Sequence, residues 1–184
     1  MKQLVILSGK GGTGKTSVAA AFAHLAAQGE STVTAVLADA DVDAANLELV
    51  LAPKSLERHE FTGGSVAVID GARCEGCGTC YDVCRFDAVL RPADGREVYA
   101  VDPIACEGCA ACVYQCPEEA IEMVPQLAGH WFRSESRYGP LFHAALRPAQ
   151  ENSGKLVTLV KQQARLLALD EGQAAVLVDG PPGI

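Results

Sequence analysis

The pattern of cysteines constrains this chain more than any other feature. All eight cysteines of the 184-residue sequence lie between Cys74 and Cys116. They form two runs with the spacing C-x2-C-x2-C-x3-C, and the second run repeats the first at an offset of 32 residues. The segment Met1–Leu7 has no cleavage site, so we expect no secretion signal. Cysteines in such a context favour metal binding over a disulfide framework.

The spacing resembles that of the two-cluster bacterial ferredoxins, in which each run gives three cysteines to one [4Fe–4S] cluster and its fourth cysteine to the other. The resemblance implies that cluster I is held by Cys74, Cys77, Cys80 and Cys116. It implies that cluster II is held by Cys84, Cys106, Cys109 and Cys112. Two zinc sites are the alternative, but tetrahedral sites normally use separated pairs of cysteines. Arg85 replaces the proline that usually follows the fourth cysteine of the first run, which affects only the local backbone.

The acidic charge of the chain is concentrated around these cysteines. Residues 70–123 hold 11 acidic and four basic side chains, whereas the rest of the chain holds 12 and 11. A turn signal, Asp94-Gly95, separates the two halves of the repeat. We therefore expect a separable α+β ferredoxin insert over 70–123. The net charge of −8 argues against nucleic acid as a partner, and no apolar run is long enough for a transmembrane segment.

A glycine-rich phosphate loop is the second strong motif. Residues 9–16 fit G-x-x-x-x-G-K-[ST] between an apolar strand over Leu4–Leu7 and a helix over Thr16–Gln28 that Gly29 ends. The expected nucleotide-binding residues are Gly9, Lys10, Gly11, Gly12, Thr13, Gly14, Lys15, Thr16 and Ser17. Lys15 should neutralise the β- and γ-phosphates of ATP, and Thr16 should ligate Mg²⁺. A glycine-rich turn that binds no nucleotide is the alternative.

Strand and helix signals alternate on both sides of the insert. A β-branched run covers Thr32–Leu37, a helix with a cap at Asn152-Ser153 covers Lys155–Leu169, and a buried strand covers Ala174–Val178. This alternation predicts an α/β fold with a parallel sheet and crossover helices. The predicted domains are a discontinuous P-loop domain over 1–69 and 124–184 and the insert over 70–123.

A second lysine in the loop narrows the resemblance. Lys10, with Gly11 to Thr16, resembles the deviant phosphate loop of the MinD/ParA superfamily of P-loop ATPases, which includes partition ATPases and the nitrogenase iron protein. Asp39–Leu47 resembles its switch I, and Val176–Gly183 resembles its Walker B strand and switch II. The whole chain is similar to members with an inserted ferredoxin domain, described as nucleotide-binding or cobyrinic acid a,c-diamide synthase-like.

This resemblance implies roles for individual residues. Lys10 would reach the phosphates of a partner across a homodimer or a related ATPase subunit. Asp41 would orient the attacking water, which makes Lys10, Lys15 and Asp41 the catalytic set. Asp39 and Asp179 would join Thr16 in supporting Mg²⁺, directly or through water. The family normally continues beyond switch II. We therefore expect a truncated chain whose sheet is incomplete at the C-terminus. Whether this chain hydrolyses ATP stays open for the same reason.

The leading hypothesis is a cytoplasmic ATPase that couples its nucleotide state to a two-[4Fe–4S] module in electron transfer, with a redox protein as partner. One alternative is an electron carrier in which nucleotide sets conformation without significant turnover. Another is an iron–sulfur carrier or scaffold, although eight cysteines already complete two four-ligand sites. Cobyrinate amidation is disfavoured because that chemistry needs a glutamine amidotransferase region, which is absent here. His143 is interpreted as a packed or solvent-exposed histidine and not as a ligand.

Overall fold

The computed structural model describes residues 1–28, 32–92, 97–147 and 153–182. Four features predicted from the sequence lie outside these ranges: the helix stop at Gly29, the Asp94-Gly95 turn, Asn152 of the helix cap, and Gly183.

The described residues form strands and helices in a mixed α/β arrangement. In chain order these are β1 (Lys2–Ser8), α1 (Lys15–Gln28), β2 (Ala35–Asp39), α2 (Leu47–Leu51), β3 (Lys54–Ile69), α3 (Thr79–Asp82), β4 (Val89–Leu90), β5 (Ala100–Val101), α4 (Ala111–Gln115), β6 (Ile121–Ser136), β7 (Gly139–Leu146), α5 (Ser153–Asp170) and β8 (Ala175–Pro182).

The larger sheet has the order β1-β8-β2-β7-β6-β3, and β4 and β5 form a separate antiparallel pair. The β1–β8, β8–β2 and β2–β7 pairs are parallel, as the alternating pattern predicts. The β6–β7 pair is antiparallel, so the sheet is mixed and the expectation of a wholly parallel sheet is corrected here. The reason is local, since only Arg137 and Tyr138 separate these strands and a connection this short cannot return the chain in parallel.

Successive residues of the central strands point to opposite faces of the sheet, and both faces are buried. On β2, Val36 and Ala38 belong to the core that α5 covers, whereas Ala35 and Leu37 belong to the core that α1 and α2 cover. This period of two explains why β2 is an uninterrupted apolar run, which is typical of buried parallel strands. Residues of one candidate site lie at the ends of these strands.

The long helix α5 is amphipathic, but its buried face differs slightly from the sequence pattern. Leu156, Val160, Ala164 and Ala168 are buried at four-residue spacing. Leu166, a large apolar residue of the same helix, is 59% exposed. Small alanines therefore occupy core positions that a scan for large apolar residues passes over.

The chain divides into two compact units, residues 1–61 with 128–184, and residues 62–127. The second unit has a core of its own, in which Ala67, Cys80, Val89 and Ile121 are buried. The insert boundaries at 70 and 123 stay a prediction. Among the helices of the described ranges, none is long and apolar enough to cross a membrane.

Candidate functional site

Four cysteines surround the first of two cavities in the unit 62–127. Cys74, Cys77, Cys80 and Cys116 line this cavity. Cys74 and Cys77 lie in the loop before α3, Cys80 lies within α3, and Cys116 is the residue that follows α4. The structure thus brings together three cysteines of the first run and the fourth cysteine of the second run.

The second cavity has the complementary lining. Cys84, Cys106, Cys109 and Cys112 border this cavity. Cys106 and Cys109 lie in the loop before α4, Cys112 lies within α4, and Cys84 comes shortly after α3. Across the ranges that the structure describes, no three Cys, His, Asp or Glu side chains converge closely enough to hold a single metal ion. Each set of four surrounds a volume, and that is the arrangement a [4Fe–4S] cubane requires, because its four irons take one thiolate each.

Two glycines at equivalent positions let the backbone fold tightly around these cavities. Gly76 has φ +71°, and Gly108 has φ +66°. A Cβ at Gly76 would lie 2.6 Å from the carbonyl oxygen of Glu97, and a Cβ at Gly108 would meet the carbonyl oxygen of Ser65. Only glycine therefore fits at either position, for conformational and for steric reasons.

Hydrogen bonds and burial affect the cysteines unequally. The backbone N–H of Ala120 donates to Cys116 Sγ at 3.3 Å, and that of Ala67 donates to Cys106 Sγ at 3.5 Å. The Thr79 hydroxyl lies 3.5 Å from Cys77 Sγ and lowers the pKa of that exposed thiol.

Desolvation acts in the opposite direction on the more enclosed thiols. Burial raises the pKa of Cys80 to about 11 and also raises the pKa of Cys112. Neighbouring cysteines add to both shifts, because each thiolate disfavours the next. Four thiolates around one cavity therefore call for a cationic metal centre, which fits iron bound as a cluster.

The unit 1–61 with 128–184 holds the second candidate site, at the glycine-rich loop. Gly12 and Gly14 adopt positive φ angles of 72° and 87°. A Cβ built on Gly9, Gly11, Gly12 or Gly14 would meet no atom within 4 Å. The open space lies where the loop leads into the N-terminus of α1, at Lys15. Backbone N–H groups in such a loop and the end of a helix favour an anion.

Carboxylates from two neighbouring strands meet beside this loop. Asp39 and Asp179 are paired in register on β2 and β8, and both are almost completely buried. Burial, with repulsion from Asp179 and Asp41, raises the pKa of Asp39 to about 7 against two backbone hydrogen bonds that lower it. Burial also raises the pKa of Asp41, and Lys15 partly offsets this increase. The site therefore concentrates negative charge that a cation would neutralise.

Asp179 is the least satisfied member of this group. Neither of its carboxylate oxygens has a well-formed hydrogen bond within the described part of the chain. Burial raises its pKa, while the nearby Thr16 hydroxyl and the Lys15 ammonium lower it. Because a buried carboxylate without partners is costly, Asp179 fits a role in holding a hydrated cation.

Asp39 differs because both of its oxygens already accept hydrogen bonds. The N–H of Asp41 donates to Oδ1 at 3.1 Å, and the N–H of Leu47 donates to Oδ2 at 2.9 Å. Asp39 thus holds both ends of the loop between β2 and α2. Lys10 is exposed, and its backbone carbonyl accepts bonds from the hydroxyls of Ser8 and Thr13.

A buried hydrogen-bonded chain that the sequence did not reveal adjoins α2. Glu48 Oε2 lies 2.7 Å from His143 Nδ1, and Ser134 Oγ lies 3.0 Å from His143 Nε2. Phe132 stacks on the His143 ring at 4.9 Å. Burial lowers the pKa of His143, and Glu48 partly offsets this. Ser134 is 1% exposed, and we interpret Glu48, His143 and Ser134 as packing and positioning groups. Glu48 is far from His143 and Ser134 in the sequence, so no local sequence pattern predicted their contact.

Comparisons with known proteins assign the cysteine region. Residues 67–123 match the family of 4Fe-4S dicluster domains. These residues therefore form a ferredoxin-type 4Fe–4S dicluster domain, as the cysteine spacing predicts.

An uncharacterized protein of Methanocaldococcus jannaschii is 34% identical over 182 residues. The match covers 99% of this chain and 60% of that protein, so the chain spans about three fifths of the relative's length. A solved structure of adenosine 5'-phosphosulfate reductase in complex with substrate is 19% identical, with a TM-score of 0.29. The match covers 44% of this chain and 68% of that one, and a score this low lies well below that of a shared fold.

Proposed function

We propose that this protein is an electron carrier in which residues 67–123 hold two [4Fe–4S] clusters with crossed ligation. Cluster I is held by Cys74, Cys77, Cys80 and Cys116, and cluster II by Cys84, Cys106, Cys109 and Cys112. The observation that carries the proposal is the lining of the two cavities, each of which takes three cysteines from one run and the fourth from the other.

Each cluster, when bound, takes up or releases one electron. The residues of the chain do the rest. The thiolates hold the irons, the N–H groups of Ala67 and Ala120 donate to ligand sulfurs, and the backbone at Gly76 and Gly108 packs tightly against the carbonyl oxygens of Glu97 and Ser65. Hydrogen bonds to sulfur and solvent exposure are two of the factors that set the reduction potential of such a cluster. The partner would be a second redox protein, and eight cysteine ligands suit the reducing cytoplasm.

Anaerobic purification followed by iron and acid-labile sulfide analysis tests this proposal. We expect about eight irons and about eight sulfides per chain, and a reversible one-electron EPR signal from each cluster. The variant Glu60→Gln, at an exposed position of β3, is the control. It should leave the iron and sulfide contents unchanged. Tetrahedral zinc with no sulfide would refute the proposal. Rapid transfer of clusters to an apo-ferredoxin would instead favour a carrier of clusters.

A specific observation favours a second function, the binding and hydrolysis of ATP in the manner of the MinD/ParA P-loop ATPases. Asp179 is buried near Lys15 and Thr16 with no well-formed hydrogen bond to either carboxylate oxygen among the described residues, and it adjoins a glycine loop with open space around it. This combination fits a triphosphate with Mg²⁺. The nucleotide state would then regulate the electron carrier.

The proposed roles follow from charge and position. Residues 9–17 would bind the phosphates through backbone N–H groups, and Lys15 would neutralise their charge. Thr16 and Asp179 would support Mg²⁺, while Asp39 would act mainly by fixing the loop that carries Asp41. Asp41 is the residue we assign to orient the attacking water. The exposed Lys10 would serve a second subunit through the same face.

The test is MgATP binding and hydrolysis by the anaerobic, cluster-loaded chain. Lys15→Ala should abolish binding, because the neutralising charge is lost, whereas Lys155→Ala removes an exposed lysine from α5 and should change nothing. Binding that survives in Lys15→Ala would contradict this second function and leave the electron-carrier proposal intact. If the chain hydrolyses ATP but ATP does not change the EPR spectra, ATP hydrolysis is not coupled to the clusters.

A further inference from the structure

The internal repeat allows the two cluster sites to be compared position by position. Residues 32 apart in sequence occupy equivalent places, so that Glu75 in the first site corresponds to Glu107 in the second, and both line their cavities. The ligand sets are chemically identical. Three pairs of other residues differ in polarity: Thr79 with Ala111, Tyr99 with Ala67, and Glu118 with Phe86.

The first difference places a hydroxyl beside a ligand sulfur. Thr79 is the first residue of α3, and its Oγ1 lies 3.5 Å from Cys77 Sγ in the lining of the first cavity. Ala111 is the first residue of α4 and lines the second cavity, where its methyl group offers no donor. When Cys77 is a thiolate, the Thr79 hydroxyl must be the donor.

The second difference adds a phenol to the same site. Tyr99 lines the first cavity, and Ala67 lines the second. The Tyr99 hydroxyl lies 2.9 Å from the place where Gly78 would carry a Cβ. The equivalent of Gly78 is Ala110, which has a similar positive φ of 60° but carries its methyl group. The phenol therefore explains why this position is glycine in one half of the repeat only.

The third difference acts in the opposite direction. Glu118 lines the first cavity, whereas Phe86 lines the second. A carboxylate disfavours an added electron, but Glu118 is exposed, so solvent screens its charge. The Thr79 hydroxyl is in direct contact with a ligand sulfur, and hydrogen bonds to ionised acceptors are the strong ones. The donors should therefore outweigh the carboxylate.

From these differences we propose that the two sites are unequal by construction, with cluster I at the higher reduction potential because of Thr79 and Tyr99. This inference rests on the proposed binding of two clusters. A reduced low-potential iron–sulfur protein donates one electron, and this electron reduces cluster I. A second one-electron donation is needed to reduce cluster II. The Thr79 hydroxyl beside Cys77 Sγ, with the phenol of Tyr99 in the same cavity lining, favours the reduced form, because the reduced form carries one more negative charge.

Potentiometric titration with dithionite, followed by EPR, tests the inference on the full chain. The matched pair of variants is Thr79→Ala and Ala111→Thr, since each exchanges the same two side chains at the first residue of a short helix. We expect two midpoint potentials in the wild type. Thr79→Ala should lower the higher potential only, and Ala111→Thr should raise the lower potential only. A single shared potential in the wild type, or equal shifts of both potentials in either variant, would overturn the inference.

Two further variants keep the test decisive. Tyr99→Phe removes the hydroxyl and retains the ring, and it should lower the same potential that Thr79→Ala lowers. Glu118→Gln should raise that potential by a smaller amount. Iron and sulfide are measured on every sample. A loss of iron in the wild type would count against the proposed function, whereas full loading with unmoved potentials in Thr79→Ala and Tyr99→Phe would overturn only the inference.

Discussion

The two candidate sites differ in how closely the backbone surrounds them. At the cysteine cavities, Gly76 and Gly108 are held against carbonyl oxygens, and no side chain fits there. At the phosphate loop, Gly11 and its neighbouring glycines face open space. The first site is shaped by the chain itself, so its size is matched to one kind of group. The second is an open, charged surface whose shape depends on what binds.

The largest expected effect comes from filling the tight site. Gly108→Ala should reduce the iron content from about eight to about four per chain, because the added Cβ meets the Ser65 carbonyl and φ is +66°. The matched control is Gly11→Ala in the open loop, which should retain all iron. Its effect should instead be a roughly tenfold loss of MgATP affinity, since the methyl group enters the space proposed for phosphate. Full iron content in Gly108→Ala would show that the cavity is not preformed.

A smaller effect should follow from relieving the charge of the open site. Asp179→Asn removes the charge of a buried carboxylate that has no well-formed hydrogen bond within the described ranges, so the chain should be more stable in EDTA. We expect the melting temperature to rise by about 2–4 °C per kcal/mol gained. The same variant should lose any stabilisation by Mg²⁺ with ATP. A lower melting temperature in EDTA would mean that Asp179 has favourable contacts within the fold.

The pH dependence of stability sharpens the same contrast. The pKa of Asp39 is about 7 in the folded chain and near 3.8 when unperturbed, so the folded state binds the proton more tightly. Its contribution is complete below pH 3.8 and is lost as pH rises through about 7. Without Mg²⁺, this contribution to thermal stability should therefore fall as pH rises from about 3.8 to about 7 and level off above that, and MgATP should reduce the fall.

His143 titrates with the opposite sign, because its pKa is lowered on folding. This contribution is common to samples with and without MgATP, so their difference isolates the acidic site. Identical pH profiles in the two conditions would remove the argument for a cation bound near Asp179 at this acidic site.

The smallest effect concerns the chain of Glu48, His143 and Ser134. Glu48→Gln keeps the shape of the side chain but weakens a charge-assisted hydrogen bond to His143. Glu48 is 40% exposed, so the cost should be about 0.5–1 kcal/mol in a urea titration. Glu60→Gln, on the exposed surface of β3, provides the baseline. A cost no greater than this baseline would show that α2 does not depend on the contact.

Local patterns predicted the parts of this molecule that local sequence determines. The resemblance of the spacing to two-cluster ferredoxins anticipated which cysteines line each cavity. The apolar runs of β2 and β8 anticipated two buried parallel strands. The run of β1 anticipated a third parallel strand, but the expectation that it is buried was wrong, because β1 lies at the sheet edge with Leu4, Val5 and Leu7 exposed. A buried strand between two layers of helices must be apolar on both faces. Its own sequence therefore shows the pattern, whichever strands it pairs with.

The sequence did not predict the arrangements that depend on residues far apart in the chain. The strands β3 and β6 carry polar side chains and glycines along most of their length, so neither has the apolar run of a buried strand. Asp39 was predicted as a support for Mg²⁺, but its bonds to Asp41 and Leu47 depend on how the chain turns after β2. Thr79 and Tyr99 could have been found from the sequence, by asking which positions of the repeat lose their symmetry.

The most direct test of the crossed cluster sites compares two double variants by EPR after anaerobic loading. Cys74→Ala with Cys116→Ala removes two ligands from one cavity and should leave one intact [4Fe–4S] cluster per chain. Cys74→Ala with Cys84→Ala removes one ligand from each cavity and should leave no intact cluster. The reverse outcome, with the intact cluster in the Cys74 and Cys84 pair, would mean that each run holds its own cluster and would contradict the account.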